Sequence, residues 1–194
     1  MFGMLAGKHQ SSLKKQVSNK LFQASSSFLS GALMVGDLKA ELEKWLVGKE
    51  KIVVAGIGNP IRQDDYVGLK IVESLQGQVP DNVCLLECET VPESYLLDIE
   101  QFKPTHVLLI DAAFLGLKPG SASLFDSQKI VDFPAITTHV LPLKVFCEYV
   151  KQSTGAKIAL LAIEPKSMEF GEGLSVEVEA GAQKIVVVLV GLLG

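Results

Sequence analysis

Two adjacent aspartates, Asp64 and Asp65, close a glycine-rich stretch, Gly56-Ile57-Gly58-Asn59-Pro60-Ile61-Arg62-Gln63, and Gly68 follows them. A third aspartate, Asp111, ends the apolar run Thr105–Ile110. His139 ends Thr137-Thr138-His139, and Glu164 ends the run from Lys157 to Ile163. Carboxylates and an imidazole can move protons, hold a borderline or hard cation, or cap a helix. Each residue has a plain structural use as well. An aspartate at a helix N-terminus is favourable, so one of Asp64 and Asp65 is expected to cap, which leaves the other for chemistry. Asp111 can close a loop, and His139 can bond Thr137 or Thr138. Arg62 is the single arginine of the chain. It can meet a substrate carboxylate or stand as a solvated loop charge.

The glycine loop does not fit the common phosphate cradles. A dinucleotide fingerprint wants a third glycine at position 61, where this chain has Ile61, and Asp64 and Asp65 would repel a pyrophosphate. A P-loop is excluded by the missing Gly-Lys-Ser/Thr. The three cysteines, Cys84, Cys88 and Cys147, are too few for a disulfide scaffold or a four-cysteine zinc site. They read as buried or weakly exposed thiols.

These residues need elements to hold them. Ile52–Ala55, Val83–Leu86, Thr105–Ile110, Ser121–Phe125 and Lys157–Ile163 read as strands, several of them continuously apolar as buried parallel strands are. Helices are expected near 37–47 with Asp37 as cap, 66–76, 92–101, 140–151 and 177–193. The alternation argues for an α/β fold with a parallel sheet and helices on both faces. Ligands of such sheets bind beyond the carboxyl ends of the strands. Asp64, Asp65, Asp111, Glu164 and His139 all fall there, with Glu87 and Glu89 after the second strand.

The chain has 194 residues, 48% hydrophobic and 21% charged, enough for a sizeable core. No apolar run reaches the roughly 18 residues of a membrane-spanning helix. Residues 1–36 hold four lysines, seven serines and no acid, which marks a basic extension. Residues 37–194 carry 14 basic and 22 acidic residues, a net −8, and read as one α/β domain. That acidity speaks against a nucleic-acid partner. Nothing resembles a secretory signal, which places the protein in the cytoplasm.

Taken in order, the motifs resemble one family. Gly58-Asn59, Asp64-Asp65, Gly68, Ile110-Asp111-Ala112, Thr137-Thr138-His139 with Pro142-Leu143, Ile163-Glu164-Pro165 and Gly171-Glu172-Gly173-Leu174-Ser175 are similar to the [NiFe]-hydrogenase maturation endopeptidases, most of all the hydrogenase-3 branch. The likeness covers roughly residues 50–190. It implies a three-layer α/β/α sandwich with a mostly parallel twisted sheet, of the phosphorylase/hydrolase-like kind. It implies an endopeptidase that removes the C-terminal extension of a hydrogenase large-subunit precursor after nickel insertion; the alternative is a non-proteolytic hydrogenase assembly factor or a nucleoside-processing enzyme of similar fold. The family's metal-binding residues carry over to Asp65, Asp111 and His139, and the nickel is expected to arrive on the substrate. Asp65 stands where the family often has glutamate. The general base is left open; Asp64 is the candidate because it adjoins a ligand, with helix capping as its other use.

Overall fold

The computed structural model describes residues 35–126 and 140–194. Five strands, β1 (Ile52–Ile57), β2 (Val83–Glu89), β3 (His106–Ala112), β4 (Ala122–Asp126) and β5 (Lys157–Ile163), form one sheet in the order β2-β1-β3-β5-β4. All neighbours are parallel except β4, which pairs antiparallel to β5 at the edge. Every residue of β1 and β3 is buried. Both faces of these strands are covered, which is why they read as unbroken apolar runs and not as alternating ones.

Among the described residues five α-helices cover the sheet: α1 (Val35–Trp45), α2 (Val67–Leu75), α3 (Leu96–Phe102), α4 (Val140–Thr154) and α5 (Val176–Leu193). Alternate strand residues feed opposite faces, because side chains flip sides at each step. Ile52, Val54, Leu108, Ile110 and Leu161 pack with Leu38 and Leu42 of α1, Ile71 and Leu75 of α2, and Ile185 and Leu189 of α5. Val53, Ala55, Val107, Leu109 and Leu160 pack with Ile99 of α3 and with Leu143, Phe146 and Val150 of α4. The result is a three-layer α/β/α sandwich.

Some boundaries differ from the sequence reading. Asp37 lies inside the first turn of α1 and does not precede the helix. An acid there still meets the positive end of the helix dipole. The helix expected from 66 begins as a 3-10 turn over Gln63–Tyr66, and the one expected from 92 as a 3-10 turn over Pro92–Tyr95. Strand β3 does not stop before Asp111 but runs through it to Ala112, because β5 continues to pair alongside, Asp111 with Ala162 and Ala112 with Ile163.

The strand order locates the crevice. From β1 the chain first moves to β2 on one side and then crosses back to β3 on the other. Where successive connections diverge in this way, a cleft opens between the carboxyl ends of the two strands, here β1 and β3.

Candidate active site

The divergent strand ends carry three acids. The turn Gln63–Tyr66, with Asp64 and Asp65, follows β1 and packs on β3, where Asp111 is the penultimate residue. Three glycines permit this closeness. A Cβ on Gly68 would fall 2.3 Å from the carbonyl oxygens of both Ile57 and Ile110, and one on Gly56 would fall 2.4 Å from that of Gly68. Gly58 has φ +146, and a side chain there would strike the Asp65 carbonyl at 1.7 Å. The start of α2 therefore rests directly on the ends of β1 and β3, with no side-chain layer between. Asp64, Asp65 and Asp111 are all buried, at 0%, 3% and 0% exposure. Ionisable acids are seldom buried so fully without a purpose.

Asp64 has a different task from the one expected of it. Neither helix start beside it has a side-chain cap. Its carboxylate instead reaches the loop after β5. Oδ2 accepts from the backbone N–H of Lys166 at 2.8 Å, that of Ser167 at 3.0 Å and the Ser175 hydroxyl at 3.0 Å, while Oδ1 accepts from the Ser175 N–H at 2.7 Å. Four accepted bonds occupy both oxygens, so Asp64 anchors a loop and is poorly placed to act as the general base. The backbone repeats the clasp: Asp64 N–H bonds Ser167 carbonyl, Gln63 N–H bonds Gly171 carbonyl, and Gly171 N–H bonds Ile61 carbonyl. A Cβ on Gly171 would meet the Gln63 side chain at 2.8 Å, so a glycine sits there.

Glu164 is a second anchor. Its Oε2 accepts from the N–H of Leu115 at 2.5 Å and of Leu117 at 3.2 Å, which ties the loop after β3 to the end of β5. Glu87 and Glu89 lie exposed and do not join the buried acids. His139, with Thr137 and Thr138, lies outside the described residues, directly before α4. Among the described residues no group of three His, Cys, Asp or Glu side chains is placed to hold a metal ion. The thiols are not poised for attack: Cys88 and Cys147 are buried, and burial pushes each up to about 12. Burial and then its hydrogen bond to Glu73 push the Tyr66 phenol up to about 12 as well.

Comparison with known proteins agrees with this architecture. Residues 69–191 match the model of the hydrogenase maturation protease family, HycI. The chain belongs to the hydrogenase maturation protease family. The chain is 32% identical to a putative hydrogenase maturation protease of Methanocaldococcus jannaschii, over 74% of its own length and 89% of the relative's. It is 28% identical to the hydrogenase 3 maturation protease of Escherichia coli K12, over 61% and 75%. The crystal structure of a [NiFe] hydrogenase maturation protease HycI from Thermococcus kodakarensis superposes with a TM-score of 0.73 at 34% identity, covering 78% of this chain and 97% of that one. The solution structure of HycI from Escherichia coli gives 0.66 at 25% identity, over 75% and 92%. The family-model match includes Asp111 and begins after Asp65.

Sequence reasoning missed the clasp between the loops at 59–65 and 165–175. Its partners lie more than 100 residues apart, and only the Gly171-Glu172-Gly173 cluster signalled a constrained turn.

Proposed function

We propose that this chain is an endopeptidase that removes the C-terminal extension of a [NiFe]-hydrogenase large-subunit precursor once nickel is in place. The observation that supports it most is the burial of Asp65 and Asp111 at the divergent ends of β1 and β3. With His139 they make a ligand set of two carboxylates and one imidazole, suited to the open positions of a cation that the partner already holds. The substrate's nickel then docks the tail against this rim. Docked there, the scissile carbonyl or a water can be polarised by the ion. Asp64 and Glu164 keep the surrounding loops in place. His139 ligates only as neutral imidazole, so processing is expected to fall at acidic pH.

The test is intact-mass analysis of the precursor incubated with the full chain, with nickel-loaded and nickel-free precursor side by side. Loss of one defined C-terminal peptide from the loaded sample alone is the expected result. Equal cleavage of both samples would remove nickel from the recognition step, and no cleavage of the loaded cognate precursor would remove the peptidase reading.

A further inference from the structure

Arg62 has no part in the site as described, yet it is held with care. Its Nε donates to the Met168 carbonyl at 3.1 Å, and its guanidinium carbon lies 5.7 Å from the centre of the Phe170 ring. Among the described residues this is the one hydrogen bond of its side chain, so both Nη groups keep their donors. The ring beneath is 77% exposed, although a large apolar group gains nothing by facing water. The loop that carries Met168 and Phe170 is fastened beneath by the Asp64 carboxylate and by the Gly171 clasp. A guanidinium fixed at Nε and stacked on an aromatic face is pre-organised, and its free edge matches a carboxylate in two-pronged geometry. It is also the single arginine in a stretch of net charge −8, three residues from Asp65. A positive fork beside buried acids attracts the one kind of group that the acids themselves repel.

We infer that Arg62, seated on Phe170, is a specificity determinant that binds a carboxylate of the peptide segment removed from the substrate, either an acidic side chain or the chain's own C-terminal carboxylate. This rests on the peptidase reading above for the identity of the peptide. Phe170 supplies the platform and apolar contact to the neighbouring substrate residue.

The experiment uses the full chain and the C-terminal peptide of the cognate precursor in three synthetic forms: free acid, C-terminal amide, and a form with every Asp and Glu changed to Asn and Gln. Binding is measured by titration calorimetry, and processing of the nickel-loaded precursor is measured in parallel. The wild-type chain is expected to bind the free acid about tenfold more tightly than one of the two altered forms, a typical worth for a charged hydrogen-bonded contact. Which form loses affinity tells the side-chain carboxylate from the terminal one. Arg62→Lys keeps the charge but loses the fork, and should erase that preference and raise KM by about the same factor with kcat and Tm unchanged. Phe170→Leu should give a partial loss and serves as second variant if Arg62→Lys proves unstable. A wild-type chain that binds all three forms equally, or an Arg62→Lys chain that keeps the preference, overturns the assignment. If wild type shows the carboxylate preference but fails to process the precursor, the peptidase reading falls and the binding role of Arg62 stands.

Discussion

Three buried aspartates lie at one rim, and the hydrogen bonds of Asp64 give it to the loop clasp. Asp64 is committed to Lys166, Ser167 and Ser175 across the loop clasp. In Asp64→Asn one of the two oxygens becomes an amide that faces N–H donors. Losing charged, buried hydrogen bonds of this kind costs about 2–3 kcal/mol. Asp64→Asn is therefore expected to lower Tm by several degrees and to speed hydrogen exchange at Ser167 and Ser175, with activity lost as a consequence. Asp111 lies on a strand paired on both sides, and Asp111→Asn keeps its volume. It should retain Tm within a few degrees while processing falls about 100-fold or more, the usual scale for removing a group that acts in the transition state. Asp65→Asn should behave as Asp111→Asn does. An Asp111→Asn enzyme that folds and processes normally would take Asp111 out of the chemistry.

At the scale of elements, the seat of α2 sets how the turn carrying Asp64 and Asp65 lies on the ends of β1 and β3. Gly68 lets the helix touch the carbonyls of Ile57 and Ile110, and a methyl at 2.3 Å from both has no room because both are backbone atoms. Gly68→Ala is expected to push α2 off the sheet, cost several kcal/mol as overpacked sites do, and abolish processing together with stability. Gly191 provides the control. It sits in α5 with nothing within 4 Å of an added Cβ, so Gly191→Ala should stabilise by about 0.5–1 kcal/mol. Opposite signs in thermal melts of the two variants would show that the close approach, and not glycine as such, is what matters. Much of this layer was legible beforehand. The apolar runs of β1, β3 and β5 and the stripe of Leu38, Leu42, Trp45 and Leu46 are local patterns that follow from burial. The order β2-β1-β3-β5-β4 is not local. Neither is the engagement of Asp64 with Ser175, 111 residues away. Periodicity reports which face of an element is buried, but not which distant element covers it. For that reason Asp64 read as a base or a cap when it is a clasp.

Across the whole molecule, β3 joins two ends with different duties. Asp111 lies at the cleft end, and His106 at the opposite end, roughly 17 Å away along an extended strand of five residue steps. His106 is buried, with its Nε2 donating to the Trp45 carbonyl at 3.1 Å and its ring edge-on to the Trp45 indole at 5.1 Å. Burial, and then repulsion from Lys157, hold its pKa below the ordinary 6.5, although the Trp45 carbonyl pulls the other way. The unfolded chain therefore takes up a proton at His106 more readily than the folded one. Stability is full above about pH 6.5 and declines as pH falls from there toward the lower folded value. Glu177 adds a second loss at lower pH. Its hydrogen bond to Lys166 lowers its pKa from 4.5, so that contribution is present above 4.5 and fades as pH drops through the folded value. Thermal melts of wild type between pH 7.5 and 5.5 should then show a falling Tm. His106→Gln, which cannot take up the proton, should start lower at pH 7.5 but lose less over the same range. Because His106 stands at the far end of the strand from Asp111, its replacement should leave processing at neutral pH unchanged. The acid decline of processing assigned to His139 should persist in His106→Gln, and a processing profile that flattened along with the melts would mean that the two ends of β3 are coupled through the sheet.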